Sequence, residues 1–254
     1  MIWSESDGQT IRVNVADQAE LLADLRTHLK NAASFSVATL NLDHVVKLST
    51  DTTFRNAYAK HTHVTADGNP IVWLTKLAGQ PVSLVPGSEL IEPLAALAAD
   101  IDLPIGLLGS TEESLQAAAD NLRQAHPGLQ IPLIFAPPMG FDPEGEGADD
   151  AIKAIQESGA RIVFVALGAP KQEVFAAYAS TALNGVGFLS IGAGLDFISG
   201  HQRRAPAWVR AVAAEWLWRL LANPTRLARR YAACILVLPG VTLRALRQRF
   251  SSRT

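Results

Sequence analysis

This sequence has only one cysteine, few lysines and no long apolar run. The single cysteine, Cys234, excludes a disulfide framework and a cysteine-based zinc site, and it fits a reducing compartment. No stretch approaches the roughly 18 uninterrupted apolar residues that a membrane-spanning helix needs. The first ten residues are polar and acidic, so we expect no signal peptide. These absences favour a folded protein that does not cross a membrane.

The charge of the chain is divided unevenly along its length. Residues 201–254, here called the basic segment, contain no lysine but eleven arginines against one acid, a net charge of +10. Residues 1–200 carry −12, so that the whole chain has a formal charge of only −2. Such an asymmetry indicates an anionic partner for the basic segment, which could be a membrane surface, a phosphate group or a nucleic acid.

Short apolar runs alternate with longer helical stretches through the first 200 residues. The predicted strands are 35–39, 63–66, 82–85, 105–108, 131–135, 161–167 and 186–191. The predicted helices are about 17–30, 43–60, 70–78, 88–99, 111–126, 149–158 and 170–181. Continuous apolar strands that alternate with helices are typical of a parallel sheet covered on both faces. The sequence therefore predicts an α/β fold with a doubly wound, mostly parallel Rossmann-like sheet.

The strand pattern stops near Gly200, and two basic helices are predicted at about 206–221 and 224–238. One apolar stripe recurs every four residues in the first of them: Trp208, Val212, Trp216 and Leu220. We therefore predict an α/β body over residues 1–200 and a helical basic appendage over 201–254. The stripe either contacts lipid, in which case a chain ending near Gly200 stays folded, or packs on the body or a sister subunit, in which case that chain aggregates.

Polar residues follow the first two predicted strands. Asn41 is suited to cap the next helix, a role that is compatible with ligand contact. Asp67 precedes the helix start at Asn69-Pro70, so capping does not account for it. A carboxylate at the end of a strand is either a general base or a turn residue that bonds the backbone, and its position alone leaves both open.

Three later strand ends carry glycine turns. Gly109 and Ser110 open a helix with a predicted capping box from Ser110 to Glu113. The segment from Gly168 through Pro170, Lys171, Gln172 and Glu173 adds a cation and an amide to a helix start, which suits a phosphate or a sugar. Gly192 and Gly194 permit close backbone approach but lack the rest of a dinucleotide fingerprint.

No metal site is predicted. Asp100-Ile101-Asp102 matches a pattern that sugar-nucleotide transferases use for divalent ions, but it precedes a strand and so lies at the opposite edge from the site. The six histidines show no ligand spacing, and His61 and His63 are predicted to be half-exposed at a strand start. The Gly-x-Ser-x-Gly pattern of serine hydrolases is absent.

A series of short motifs runs from about residue 35 to residue 231: TLNLDHV (39–45), ADG (66–68), VPGSEL (85–90), LLG (107–109), GAPKQE (168–173), GAG (192–194), RAP (204–206), EWLWR (215–219), PTR (224–226) and RRY (229–231). In this they resemble the WecG/TagA/CpsF family of bacterial glycosyltransferases, glycosyltransferase family 26. Each motif alone is weak, but in this order they are specific. Two positions depart from the family pattern: Leu84 stands where an arginine is common, and the segment 137–143 is closer to members from exopolysaccharide pathways.

The resemblance implies transfer of a sugar from a UDP-sugar to a polyprenyl-diphosphate-linked sugar, with inversion, without metal or other cofactor, at the cytoplasmic face of the membrane. It implies that Asp67 is the general base, that Thr39 belongs to the catalytic set, and that Thr39, Asn41 and Gln172 line the sugar site. It also implies a set of arginines that bind the acceptor diphosphate or the anionic membrane. In this sequence that set is Arg204, Arg219, Arg226, Arg229 and Arg230.

Two other kinds of function compete with a transferase. A nucleotide-binding regulatory module would use Asp67 only to orient a ribose, and release of UDP in the presence of an acceptor distinguishes the two. A nucleic-acid binder is disfavoured because aromatic-interleaved RNA motifs are absent, so no nucleic-acid partner is expected. The donor sugar, the acceptor sugar and the oligomeric state, including a homo-oligomer, stay open.

Overall fold

The structure is a computed structural model that describes residues 1–6, 8–202, 205–206, 208–209 and 213–251. Its strands are β1 Ile2–Ser6, β2 Gln9–Arg12, β3 Phe35–Leu40, β4 His63–Ala66, β5 Ile105–Gly109, β6 Leu133–Phe135, β7 Ile162–Ala166 and β8 Gly187–Ser190. Its helices before the basic segment are α1 Gln18–Lys30, α2 Leu42–Thr50, α3 Thr52–Ala59, α4 Asn69–Leu77, α5 Gly87–Asp100, α6 Glu112–Ala125, α7 Glu146–Ser158, α8 Lys171–Ala182 and α9 Gly194–Ile198. Two further helices lie in the basic segment: α10 Glu215–Ala222 and α11 Pro224–Ser251.

A six-stranded parallel sheet forms the centre of the molecule, in the order β4-β3-β8-β7-β5-β6. Successive residues of a strand point to opposite faces. Val37 and Leu189 therefore join the core under α1, α5 and α6, whereas Ala38 and Phe188 join the cores under the remaining large helices. Helices cover both faces, which confirms the predicted doubly wound α/β fold.

The structure differs from the predicted secondary structure in three places before the basic segment. Residues 82–85 are extended but belong to neither sheet. The predicted helix 43–60 is two helices, because Asp51 ends α2 and accepts a bond from the Phe54 N–H (2.9 Å) that caps α3. An antiparallel hairpin, β1–β2, was not predicted, although it buries Trp3 to 2% exposure.

The last helix, α11, extends through Pro239 instead of ending near residue 238. Its far half packs on the body: Val241 and Ala245 are buried in the same core as Trp3. Arg244 donates to the carbonyl oxygen of Trp3, and Gln248 bonds both backbone groups of Ile2. A domain boundary near residue 200 stays a prediction, but the end of the basic segment contacts the body directly.

The near half of the basic segment exposes apolar side chains. Trp208 is 69% exposed, Trp216 49% and Leu221 73%. Val212, the second member of the predicted stripe, lies outside the described residues. Among the helices that the structure describes, none is long and apolar enough to cross a bilayer.

Candidate functional site

The predicted site residues follow five neighbouring strands. Because β4, β3, β8, β7 and β5 are adjacent and parallel, their carboxyl ends form one continuous rim, here called the carboxyl edge. Asp67 and Gly68 follow β4, and Thr39 and Asn41 lie at the end of β3. Gly192 and Gly194 follow β8, and Gly109 and Ser110 lie at the end of β5. The largest group follows β7: Gly168, Pro170, Lys171, Gln172 and Glu173. The fold thus brings residues distant in sequence to one edge, where ligands of such sheets bind.

Asp67 and Asn41 lie side by side at this edge. The register pairs Leu40 with Ala66, and the Asp67 N–H donates to the Leu40 carbonyl oxygen at 2.7 Å. Asn41 caps α2 as predicted, since its Oδ1 accepts from the His44 N–H at 3.0 Å. Asp67 and Asn41 are both half-buried, and Thr39 below them is 4% exposed. This corner offers a carboxylate, an amide and a hydroxyl in one place.

The start of α5 closes over the same corner. The Val85 N–H donates to the Ala66 carbonyl oxygen at 2.8 Å, which draws residues 82–86 along the end of β4. A Cβ atom on Gly87 would lie 2.8 Å from the Ser190 carbonyl oxygen and 3.2 Å from Thr39 Cγ2. Glycine is required here because only its missing side chain lets α5 contact the ends of β3 and β8.

Helix starts at the carboxyl edge differ in how they are capped. Asn41 caps α2 and Thr111 caps α6, so the predicted capping box on Ser110 is wrong. Among the described residues, no side chain caps α4, α5 or α8. The first N–H groups of a helix have no intrahelical acceptor, and they attract anions. Pro70 in α4 has no N–H, and the Ile71 N–H donates to the Gly68 carbonyl oxygen at 3.0 Å. The starts of α5 and α8 are therefore the ones that can offer N–H groups to an anionic ligand.

Gln172 and Glu173 are buried at 3% and 0% exposure. The Gln172 carboxamide is held at both ends: its Oε1 accepts from the Gly192 N–H at 3.0 Å, and its Nε2 donates to Glu173 Oε1 at 2.7 Å. Gln172 thereby ties α8 to the glycine turn after β8. Glu173 is fully buried in this structure, and its predicted contact with substrate stays a prediction.

Glu173 belongs to a buried polar layer between α8 and α2–α3. Burial raises the pKa of Glu173 to about 8, and its Oε2 has no hydrogen-bond partner among the described residues. His44 Nε2 lies 3.9 Å from Glu173 Oε1, and burial lowers the pKa of His44 to about 3. His61 donates to the Glu173 carbonyl oxygen, and burial lowers its pKa to about 4. The prediction that His61 and His63 are half-exposed is wrong, since both are buried.

Two side chains that were predicted to contact substrate, those of Lys171 and Ser110, are hydrogen-bonded to other groups of the protein. Lys171 Nζ donates to the Phe141 carbonyl oxygen at 2.8 Å, which fastens the loop before α7. The Ser110 hydroxyl donates to Asp196 Oδ1 at 2.5 Å, and Asp196 also accepts from Ser114 at 2.9 Å. Asp196 was not predicted to act at this edge, and its only sequence signal is its place just after the Gly-x-Gly turn.

The basic segment reaches the carboxyl edge through Arg230. Its Nη2 lies 3.1 Å from Asp43 Oδ2, and Lys47 pairs with the same carboxylate. Asp43 stands two residues after Asn41, so this ion pair fixes α11 beside the Asp67–Asn41 corner. Arg229 is exposed on the same helix.

The structure describes no side chain for the other three predicted arginines, Arg204, Arg219 and Arg226. Arg219 lies on α10 and Arg226 on α11, but their side chains are outside the described part of the structure. Arg204 lies outside the described residues altogether. The assignment of these three to an anionic ligand stays a prediction.

No group of three metal-ligating side chains lies at the carboxyl edge within the described ranges. Asp100 pairs with Arg26 at 3.1 Å, and Asp102 accepts from Gln130 at 2.9 Å. Both precede β5, at the opposite edge of the sheet, as predicted. Neither is positioned to hold an ion beside Asp67.

Comparison with protein families gives one match that spans nearly the whole chain. The family described as "Glycosyl transferase WecG/TagA/CpsF family" matches residues 9–254. The match includes β2, α11 and all the segments at the carboxyl edge. The chain belongs to the WecG/TagA/CpsF family of glycosyltransferases.

Proposed function

We propose that this glycosyltransferase moves a sugar, with inversion, from a UDP-sugar to a sugar carried on a polyprenyl diphosphate, in cell-surface or exopolysaccharide synthesis. The observation that carries the proposal is the Asp67–Asn41 corner, a half-buried carboxylate next to polar side chains and uncapped helix starts at the carboxyl edge. Such an edge provides a base for one substrate and N–H donors for the phosphates of the other.

Asp67 serves as the general base. The acceptor hydroxyl oxygen bonds to the anomeric carbon on the side opposite the UDP group, while the hydroxyl proton passes to a carboxylate oxygen of Asp67. The bond between the anomeric carbon and the diphosphate oxygen breaks, and its electron pair leaves with UDP. General-base assistance of this kind contributes typically ~10²–10⁴ in rate.

The leaving diphosphate is stabilised without a metal ion. The starts of α5 and α8, which no described side chain caps, supply N–H groups, and Lys171 supplies an ammonium on a flexible stem at the start of α8. Its present acceptor is a neutral carbonyl oxygen, that of Phe141, which a phosphate oxygen replaces with a stronger, charge-assisted bond. Donors held in place before the reaction stabilise the developing charge most effectively.

The basic segment binds the acceptor and the membrane. Arg230 is held beside the corner by its ion pair with Asp43. Its neighbour in the chain, Arg229, is exposed on α11. Arginine suits a lipid diphosphate because its planar fork bonds two phosphate oxygens. The exposed Trp208, Trp216 and Leu221 contact the lipid interface, which makes the protein peripheral on the cytoplasmic face.

A panel of UDP-sugars, each combined with short-chain polyprenyl-diphosphate sugars and analysed by mass, tests the proposal. We expect one donor–acceptor pair to give a product heavier by one sugar, with release of UDP in equal amount. Full turnover is expected in excess EDTA. Binding of UDP without sugar transfer to any acceptor would contradict the proposal and favour a nucleotide-binding regulatory module.

A further inference from the structure

Three potential metal ligands converge at the amino ends of the strands, away from Asp67. Asp24 and His28 lie one turn apart on α1, and His63 is the first residue of β4. One ligand atom from each lies within 4.8 Å of the other two. His63 Nε2 is 2.6 Å from Asp24 Oδ2, and His28 Nδ1 is 3.7 Å from Asp24 Oδ1. His28 Nδ1 donates to the Asp24 carbonyl oxygen at 3.1 Å, so the lone pair of a neutral His28 ring lies on Nε2.

The Thr62 hydroxyl lies between His63 Nδ1, 2.8 Å away, and the Ser36 carbonyl oxygen, 3.0 Å away. It has one hydrogen and donates it to one of these two acceptors. When it donates to Ser36, Nδ1 carries the hydrogen of a neutral His63 and Nε2 presents its lone pair to Asp24. The 2.6 Å between His63 Nε2 and Asp24 Oδ2 is a hydrogen-bond distance, so a metal ion enters only when the exposed Asp24 side chain moves outward.

This arrangement matches the outer shell of known metal sites. A ligating histidine usually donates its other ring N–H to a nearby oxygen, which fixes the orientation of the ring. The His63 ring is also held between Phe35 and His28, with ring centroids 6.4 and 5.5 Å away. Its side chain is only 10% exposed, whereas that of Asp24 is 50% exposed. One ligand is thus rigid and the other two can adjust.

An open cleft adjoins two of the three side chains, those of Asp24 and His63. Its volume is about 380 Å³, and Glu20, Thr27 and Asn14 line it together with Asp24 and His63. Water from this cleft can complete the coordination of an ion held by three protein ligands. The cleft also gives an ion a path from solvent.

We propose that Asp24, His28 and His63 bind a single transition-metal ion of the zinc class. Two imidazoles and a carboxylate are a ligand set that Zn²⁺ favours over Mg²⁺ or Ca²⁺. The ion joins α1 to the start of β4, and Asp67 follows the other end of that four-residue strand. Its role is structural, at the edge opposite the catalytic one, so this site does not depend on the proposed reaction.

The full-length protein, stripped with a chelator and titrated with Co²⁺ and then Zn²⁺, tests the proposal. We expect one ion per chain by calorimetry, Co²⁺ visible absorption bands that Zn²⁺ abolishes, and a rise in Tm with Zn²⁺. Asp24→Asn and His28→Gln change only exposed or half-buried side chains, and each is expected to weaken binding by about tenfold or more.

Glu92→Gln is the matched control, because it alters another histidine–carboxylate pair, His126 Nε2 to Glu92 Oε2 at 2.8 Å, that has no third ligand among the described residues. This variant is expected to bind the ion like the unaltered protein. Absence of Co²⁺ bands and of any Zn²⁺-dependent rise in Tm would show that a proton, not a metal ion, joins His63 to Asp24. Unchanged binding by Asp24→Asn would equally overturn the assignment.

Discussion

At the scale of single residues, Glu173 is the most unusual group at the site. Its carboxyl is fully buried, and its neighbours His44 and His61 are neutral because burial lowers the pKa of both. Burial disfavours the charged carboxylate and raises the pKa of Glu173 to about 8, and this effect exceeds the opposing effects of the Gln172 hydrogen bond and of Lys47. Glu173 is therefore protonated at neutral pH and accepts the Gln172 amide through Oε1.

The raised pKa of Glu173 makes folding depend on pH. Between about 4.5 and about 8 the unfolded chain loses this proton while the folded protein keeps it, so stability falls as pH rises. One proton corresponds to at most about 1.4 kcal/mol per pH unit. Glu173→Gln, which mimics the protonated acid, removes this loss. We expect urea denaturation to show a gain of the variant over the unaltered protein that grows from pH 5 to pH 8.

The titration of His44 and His61 does not change the stability difference between the unaltered protein and Glu173→Gln. His44 and His61 have lowered pKa values when folded, so they cost stability only as pH falls below about 6.5, and equally in both proteins. A difference between the two proteins that is the same at pH 5 and pH 8 would show that Glu173 is ionised in the fold.

Some roles at this scale could be read from the sequence and others could not. Asn41 was predicted as a cap because capping depends on residues three apart in sequence. The burial of Glu173 and the hydrogen bond from Ser110 to Asp196 depend on contacts that α8 and α9 make with elements far away in the chain. No local pattern encodes such contacts.

At the scale of secondary-structure elements, α5 makes a close contact with the ends of two strands at the site. Gly87→Ala places a Cβ within 2.8 Å of a backbone oxygen and 3.2 Å of Thr39. We expect a loss of about 1–3 kcal/mol of stability together with reduced turnover, since α5 must shift from the corner. Chemical denaturation and UDP-sugar turnover check both effects.

Gly240→Ala is the matched control, because that glycine lies inside α11 and no atom approaches within 4 Å of an added Cβ. It is expected to stabilise the protein by about 0.5–1 kcal/mol. Equal effects of the two substitutions would contradict the close contact at Gly87.

The far half of α11 is expected to be essential for folding. Ala245 is 0% exposed, so Ala245→Asp buries an unpaired charge and is expected to cost about 3 kcal/mol or more. Leu243→Asp, at a position that is 50% exposed on the same helix, is expected to change stability by less than about 1 kcal/mol. Thermal unfolding of the two variants gives the comparison, and similar Tm values would show that α11 does not pack here.

These contacts also bear on truncation of the chain. Without α11, the buried Met1 and Trp3 lose the side chains that cover them. We therefore expect a chain ending near Gly200 to expose core and aggregate, instead of staying folded as the lipid-facing interpretation predicted.

Six strands of the main sheet were predicted because long apolar runs between helices are a local signal. Residues 82–85 also form an apolar run, but they make only single backbone bonds, from Val85 to Ala66 at the end of β4 and from Ser83 to Ala16 before α1, and join neither sheet. The β1–β2 hairpin was missed because its stability comes from contacts with α11, more than 200 residues away. Sequence periodicity reports local structure and not such distant partners.

At the scale of the whole molecule, charge and exposed apolar area coincide at one end of the chain. The basic segment carries +10 and exposes Trp208 and Leu221, on an otherwise acidic protein. We expect Trp208→Ser combined with Leu221→Ser to weaken binding to anionic vesicles by about tenfold or more, because burial of each side chain contributes about 1.5–3 kcal/mol. Vesicle sedimentation at two salt concentrations measures this.

Met139→Ser is the control, since Met139 is equally apolar and fully exposed but lies outside the basic segment. It is expected to leave vesicle binding unchanged. Equal binding by the unaltered protein and the double variant would place the membrane contact elsewhere.

The central claim is that Asp67 removes the acceptor proton during transfer from a UDP-sugar. The most direct test compares the unaltered protein with Asp67→Asn, using the active donor–acceptor pair and measuring product by mass and donor affinity by calorimetry. Asparagine keeps the size of the side chain but not its basicity, so we predict that kcat falls about 10²-fold or more while donor affinity changes little. Turnover of Asp67→Asn at the rate of the unaltered protein would contradict the account.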